Sequence, residues 1–186
     1  MFETIARMDL SGKDLYARHQ HVAAFFSRSR SSARDYQFAV DGDMVYLRAP
    51  TPRADIDGWM GAAEWSEMPA LRVGSGHRIT GFACIDATRL PARMRDNWRA
   101  PPVLRQIIST WFAASGDLTD LSAWAEPGLP MLKPGLPEQI FSPIRFGGVL
   151  GIRNDAERDA ASAILRNGVG RARGFGFGCV HFKEIR

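Results

Sequence analysis

A helix, then a glycine-rich loop, then a strand: this order near the C-terminal end of the sequence excludes two common phosphate-binding folds. The loop is Asn167-Gly-Val-Gly-Arg-Ala-Arg-Gly-Phe-Gly-Phe-Gly178. Apolar spacing predicts a helix over residues 155–166 before it and a strand over 175–185 after it. A dinucleotide-binding fingerprint places its glycines after a strand, opening a helix. Here the helix comes first, and Arg173 stands where the third glycine belongs. A P-loop needs Lys followed by Ser or Thr, and the loop contains none of these. Glycine permits close backbone approach, and arginine presents planar donors matched to phosphate oxygens. Gly168, Gly170, Gly174 and Gly176, with Arg171 and Arg173, are therefore a candidate phosphate or nucleic-acid contact. Helix capping explains Gly168 and leaves the other glycines to that contact.

The rest of the chain reads as two similar units. Residues 2–10 read as a strand and 14–27 as a helix, with Leu15, His19, Val22, Ala23 and Phe26 at helical spacing. Residues 35–40 and 44–49 form a hairpin around Asp41-Gly-Asp43. A short helix at 54–63 and a short strand at 71–73 complete β-α-β-β-α-β, the ferredoxin-like unit. Gly74-Ser-Gly76 marks the boundary. The second unit has strands at 78–88, 144–152 and 175–185, with helices at 103–114 and 155–166. Its stretch 116–138, with four prolines, reads as loop. The expected fold class is α+β, two tandem ferredoxin-like (RRM-like) domains with antiparallel sheets, at 1–75 and 76–186.

Charge is distributed unevenly between these units. Residues 1–86 carry 10 basic and 11 acidic residues, whereas 87–186 carry 14 and 9. The basic surface is therefore expected on the second domain, where Arg89, Arg93, Arg95 and Arg99 lie close in sequence. Of the 24 basic residues 21 are arginine, which favours forked phosphate recognition over simple solubility. No apolar run approaches the length of a membrane span, and no signal-peptide core is seen at the N-terminus. Two distant cysteines, Cys84 and Cys179, fit a reducing cytoplasm better than a disulfide framework.

Candidates for chemistry are few. Tyr16 and His19, three apart, share one face of the first helix, and His21 points elsewhere. Arg28, Arg30 and Arg34 follow that helix and are candidates to line the same cleft. Cys179 and His181 alternate with Val180 and Phe182, as on a sheet face, which outweighs a nucleophile–base pair. No cluster has metal-ligand spacing, so neither a metal nor a cofactor is expected.

Together, Ser11-Gly-Lys-Asp-Leu-Tyr-Ala-Arg-His19, Ser32-Ala-Arg-Asp-Tyr-Gln-Phe38, Gly147-Gly-Val-Leu150 and the glycine loop resemble the CRISPR RNA-processing endoribonucleases of the CasE type. These belong to the Cas-six group and serve type I-E surveillance complexes, often called Cascade. The resemblance spans nearly the whole chain. It implies metal-independent cleavage of a repeat stem-loop in precursor CRISPR RNA, with His19 catalytic and Tyr16 supporting it. It also implies that the mature RNA and other Cascade-type subunits are partners. A non-catalytic RNA-binding subunit, stacking bases on Phe175, Phe177 and Phe182, is the competing expectation. A small-molecule-binding regulator is a weaker one.

Overall fold

Alternating apolar residues build two sheets in succession. The structure, a computed structural model, describes residues 1–7, 13–26, 36–41, 44–52, 64–132, 134–135, 137–173 and 176–185. The first sheet contains β1 (Phe2–Arg7), β2 (Gln37–Asp41), β3 (Met44–Ala49) and β4 (Ser66–Glu67), in the order β2-β3-β1-β4. All its pairings are antiparallel. Helix α1 (Leu15–Phe26) closes it, because Val22 joins Ala6, Phe38, Val45 and Leu47 in one buried cluster.

The second sheet contains β5 (Gly76–Ile85), β6 (Asp117–Ala125), β8 (Gln139–Gly151) and β9 (Cys179–Glu184), in the order β6-β8-β5-β9. The small strand β7 (Leu129–Met131) pairs with the beginning of β8. Between β5 and β6 lie α2 (Ala92–Arg95) and α3 (Pro101–Phe112). Helix α4 (Asp155–Asn167) follows β8; Asn154 caps it by accepting from the Glu157 amide at 2.9 Å. Leu104, Ile107, Ile108 and Phe112 of α3, with Ala161 and Leu165 of α4, cover one face of this sheet over Ile79, Ala83, Phe146, Leu150 and Val180.

Both sheets thus share one strand order, and the α+β architecture is two tandem ferredoxin-like units with antiparallel sheets. Details differ from the sequence expectation. The fourth strand is Ser66–Glu67, not 71–73. The supposed loop at 116–138 holds β6 and β7. The last strand starts at Cys179, because Gly176 and Gly178 take positive φ before it. The helix expected at 54–63 lies outside the described residues.

The two units are fastened through a buried arginine. Arg48 of β3 is 2% exposed. Its Nη1 donates to the Val180 carbonyl at 2.7 Å and the Leu165 carbonyl at 3.4 Å, both in the second unit. Its Nη2 lies 3.3 Å from Nδ1 of His181, and its Nε donates to Glu3 at 3.3 Å. Gln37 Nε2 also donates to the Arg166 carbonyl, at the end of α4.

Candidate active site and glycine-rich loop

Helix α1 starts where Asp14 accepts a hydrogen bond from the Ala17 amide at 2.8 Å, the arrangement of an N-cap. That start fixes the phase of the helix. Leu15, His19 and Val22 fall on its buried stripe, while His21 is exposed. Leu15 packs with Cys84, Met131 and Phe177 of the second domain, whereas Val22 packs into the first-domain core. His19, 8% exposed, occupies the turn between these two contacts, at the junction of the domains. Tyr16 packs against the same cluster as Leu15, and so does Ala172 from the glycine loop. The helix bearing Tyr16 and His19 and the loop bearing Arg171 therefore meet in one place.

The loop is held mostly by its own backbone. Gly168 ends α4 with its amide bonded to the Ile164 carbonyl, at φ 71°. The Val169 amide donates to the Gly178 carbonyl at 2.9 Å. A Cβ on Gly168 would lie 2.5 Å from that carbonyl oxygen, and one on Gly178 would lie 2.4 Å from the Val169 oxygen. The crossing admits only glycine at both places. A Cβ at Gly170 would stand 2.7 Å from the Cys84 oxygen, and one at Gly176 would stand 2.9 Å from the Phe38 ring of the first domain. Packing inside the protein therefore requires glycine at four of the five positions, where capping had been expected to explain only Gly168.

The arginines separate into two kinds. Arg171 bonds through its amide to the Cys84 carbonyl at 2.9 Å, and its guanidinium pairs with Asp86. Asp86 also pairs with Arg89 at 3.3 Å and accepts from the Thr88 amide at 3.1 Å. One carboxylate thus gathers an arginine of the glycine loop and the first arginine of the basic segment. Asp86 was not foreseen, although Asp followed two residues later by Thr is a local capping pattern. Asp86, Thr88 and Arg171, together with Gln139 and Phe141, line a cleft of about 690 Å³. Arg93, Arg95 and Arg99 continue the basic segment and are exposed; Arg99 lies over the Trp98 ring at 4.6 Å. Arg173 instead folds back and donates to the Asn167 carbonyl at 2.8 Å, serving the end of α4. Arg28, Arg30, Arg34 and Gly174 lie outside the described residues.

The Cys179–His181 pair has no nucleophilic character. Sγ and Nε2 stand 3.9 Å apart. Burial pushes the Cys179 thiol up, and burial with the neighbouring Arg48 charge pulls the His181 imidazole down to about 4. Both groups are neutral at pH 7, and a neutral thiol is a poor nucleophile. Burial likewise raises the Cys84 thiol to about 11. Among the described residues no group of three His, Cys, Asp or Glu could hold a metal ion. No helix among them is long and apolar enough to cross a membrane. Phe177 and Phe182 are buried and offer no open stacking face; Phe175, the third ring of the competing reading, lies outside the described residues.

The whole chain matches the CRISPR-associated protein Cas6e from Escherichia coli K-12 with a TM-score of 0.71 and 17% identity, over 100% of both chains. It has the Cas6e fold. A chain of a CRISPR RNA-guided surveillance complex matches at TM-score 0.74 and 19% identity, again over 100% of both. The CRISPR endoribonuclease Cse3, bound to a 19-nucleotide RNA, matches at TM-score 0.64 and 17% identity, over 98% of this chain and 100% of Cse3. No family model matches the sequence, and no curated protein does. In the Cas6e-like frame α1 and the glycine loop, far apart in sequence, lie side by side at the domain junction.

Proposed function

We propose that this protein is a metal-independent endoribonuclease that cuts the repeat stem-loop of precursor CRISPR RNA and keeps the product as a subunit of a Cascade-type complex. The observation that carries the reading is the meeting of Tyr16, on the His19 helix, with the Arg171 loop within a Cas6e-like fold. Support for the substrate and the partners comes from neighbours of that fold, one bound to RNA and one within a surveillance complex.

RNA supplies its own nucleophile. The 2′-oxygen attacks the adjacent phosphorus, the 5′-oxygen leaves, and a 2′,3′-cyclic phosphate and a 5′-hydroxyl result. The protein must hold the in-line geometry, move one proton off the 2′-hydroxyl and one onto the leaving oxygen, and stabilise the charge between. Histidine suits either transfer, because its ordinary pKa lies near neutrality. His19 takes that role. Tyr16 orients the nucleophile or donates to a phosphate oxygen. Arg171, set by Asp86, faces the phosphates beside the loop of Gly168, Gly170, Gly174 and Gly176, and Arg89, Arg93, Arg95 and Arg99 extend the basic surface. Arg28, Arg30 and Arg34, which follow α1 in sequence, are further RNA contacts in this reading, and Arg173 shapes the loop end.

The test is incubation with RNA transcribed from the protein's own repeat, in EDTA. One cut at one position, leaving a cyclic phosphate, is the expected result. Cleavage that stops in EDTA and returns only with Mg²⁺ overturns the mechanism.

A further inference from the structure

The open face of the second sheet, opposite α3 and α4, carries a feature that cleavage chemistry does not use. The ladder places Trp124, Arg145 and Phe82 side by side on three neighbouring strands, β6, β8 and β5. Glu126 ties two of them together. Its Oε1 accepts from the Trp124 indole N–H at 2.9 Å and from Arg145 Nε at 3.1 Å. The Arg145 guanidinium lies over the Phe82 ring, 4.9 Å from its centroid. Phe82 is itself braced by Phe177 at 5.1 Å. Trp124 nonetheless remains 49% exposed. Its indole N–H is tied to Glu126 while about half of the residue stays open to solvent.

This row is the floor of a cleft of about 350 Å³ between the two domains, with Tyr46 and His181 at its far end. A second recess of about 220 Å³ continues it, sharing Val40, Phe82 and Arg145 and adding Arg18 of α1. The cleft therefore joins an aromatic platform to two cations, Arg145 and Arg18. Bases have a π-face that stacks on aromatic rings and on guanidinium planes, and the chain linking them is anionic. A duplex stem has its bases already stacked and cannot use such a floor; unpaired nucleotides can. An apolar peptide segment would not call for the two arginines.

We propose that this inter-sheet cleft binds unpaired nucleotides flanking the RNA stem-loop, with a base stacked on Trp124 beside Arg145 and the backbone turned toward Arg18. The site adjoins α1 through Leu15 and Arg18 and includes no residue of the Asp86–Arg171 cluster. It rests on the RNA-binding reading above.

The experiment uses repeat hairpins with a single-stranded extension of about six nucleotides on the 5′ side, on the 3′ side, or absent. One extended hairpin binds the wild-type protein more tightly than the blunt one. Annealing a complementary strand to that extension removes the gain. Trp124→Ala lowers the gain by about 5- to 100-fold, the loss of one stacked base, and Trp124→Phe keeps most of it. RNA-induced quenching of tryptophan fluorescence, smaller in Trp124→Phe than in wild type, reports contact directly. If neither extension adds affinity, or if the gain survives Trp124→Ala, the platform is refuted. A protein that binds no repeat hairpin at all refutes instead the function proposed in the preceding section.

Discussion

Arg48 Nη1 donates to the carbonyl oxygen of Val180 at 2.7 Å, and this bond fastens β3 of the first domain to β9 of the second. The same guanidinium reaches the Leu165 carbonyl and His181. Removing it leaves buried acceptors unpaired and a cavity behind. Arg48→Ala is expected to cost about 2–4 kcal/mol in urea unfolding. Arg48→Met, which keeps the packing of the stem, should cost less. Stability unchanged in the alanine variant would refute the junction described above.

His181 makes stability depend on pH. Burial, and then the Arg48 charge, hold its imidazole at about 4, against an ordinary 6.5. The unfolded chain therefore takes up this proton more readily than the folded one. The contribution is complete above pH 6.5 and is lost as pH falls toward 4, with a slope of at most about 1.4 kcal/mol per pH unit. In His181→Gln the difference in slope from wild type should appear between pH 4 and 6.5 and vanish above it. Parallel curves throughout that window contradict the assignment.

His19→Ala should slow single-turnover cleavage by roughly 10²–10⁴ while leaving hairpin binding almost intact. His21→Ala, altering an exposed position on another side of α1, should change the rate little. A wild-type rate in His19→Ala removes His19 from the chemistry.

The double variant Arg171→Ala, Arg173→Ala should raise the Kd for the hairpin and flatten its salt dependence by about 1–2 units. The single variants divide this effect. Arg171→Ala carries the loss of slope, because Asp86 holds this side chain at the cleft. Arg173→Ala lowers thermal stability more, because it uncaps the Asn167 carbonyl. Equilibrium binding at several salt concentrations and a melting curve for each variant distinguish the two tasks.

Elements whose apolar residues keep period were legible in the sequence, as in α3, with Leu104, Ile107 and Ile108, and in β5. Strand β6 was missed for a physical reason. Its register shifts between Thr119 and Ser122, with Asp120 at φ 50°, so a bulge interrupts the alternation that identifies a strand. The glycine loop was recognised as unusual, but its partners were not legible. The Cys84 oxygen and the Phe38 ring that crowd Gly170 and Gly176 come from distant parts of the chain. The same holds for Arg48, whose acceptors are known only once two domains have docked. The shared helix face of Tyr16 and His19 was legible because helical spacing is local; their role in cleavage rests on the resemblance. Trp124, Arg145 and Glu126 were not found, because cross-strand neighbours have no fixed spacing in sequence.

At Gly176 the gap between the domains is set by a hydrogen atom, since even one methyl group would press on the Phe38 ring. This contact works as a mechanical stop. A rotation that drew the two sheets closer at this point would press Phe38 on the loop backbone, so van der Waals contact limits how near they come there.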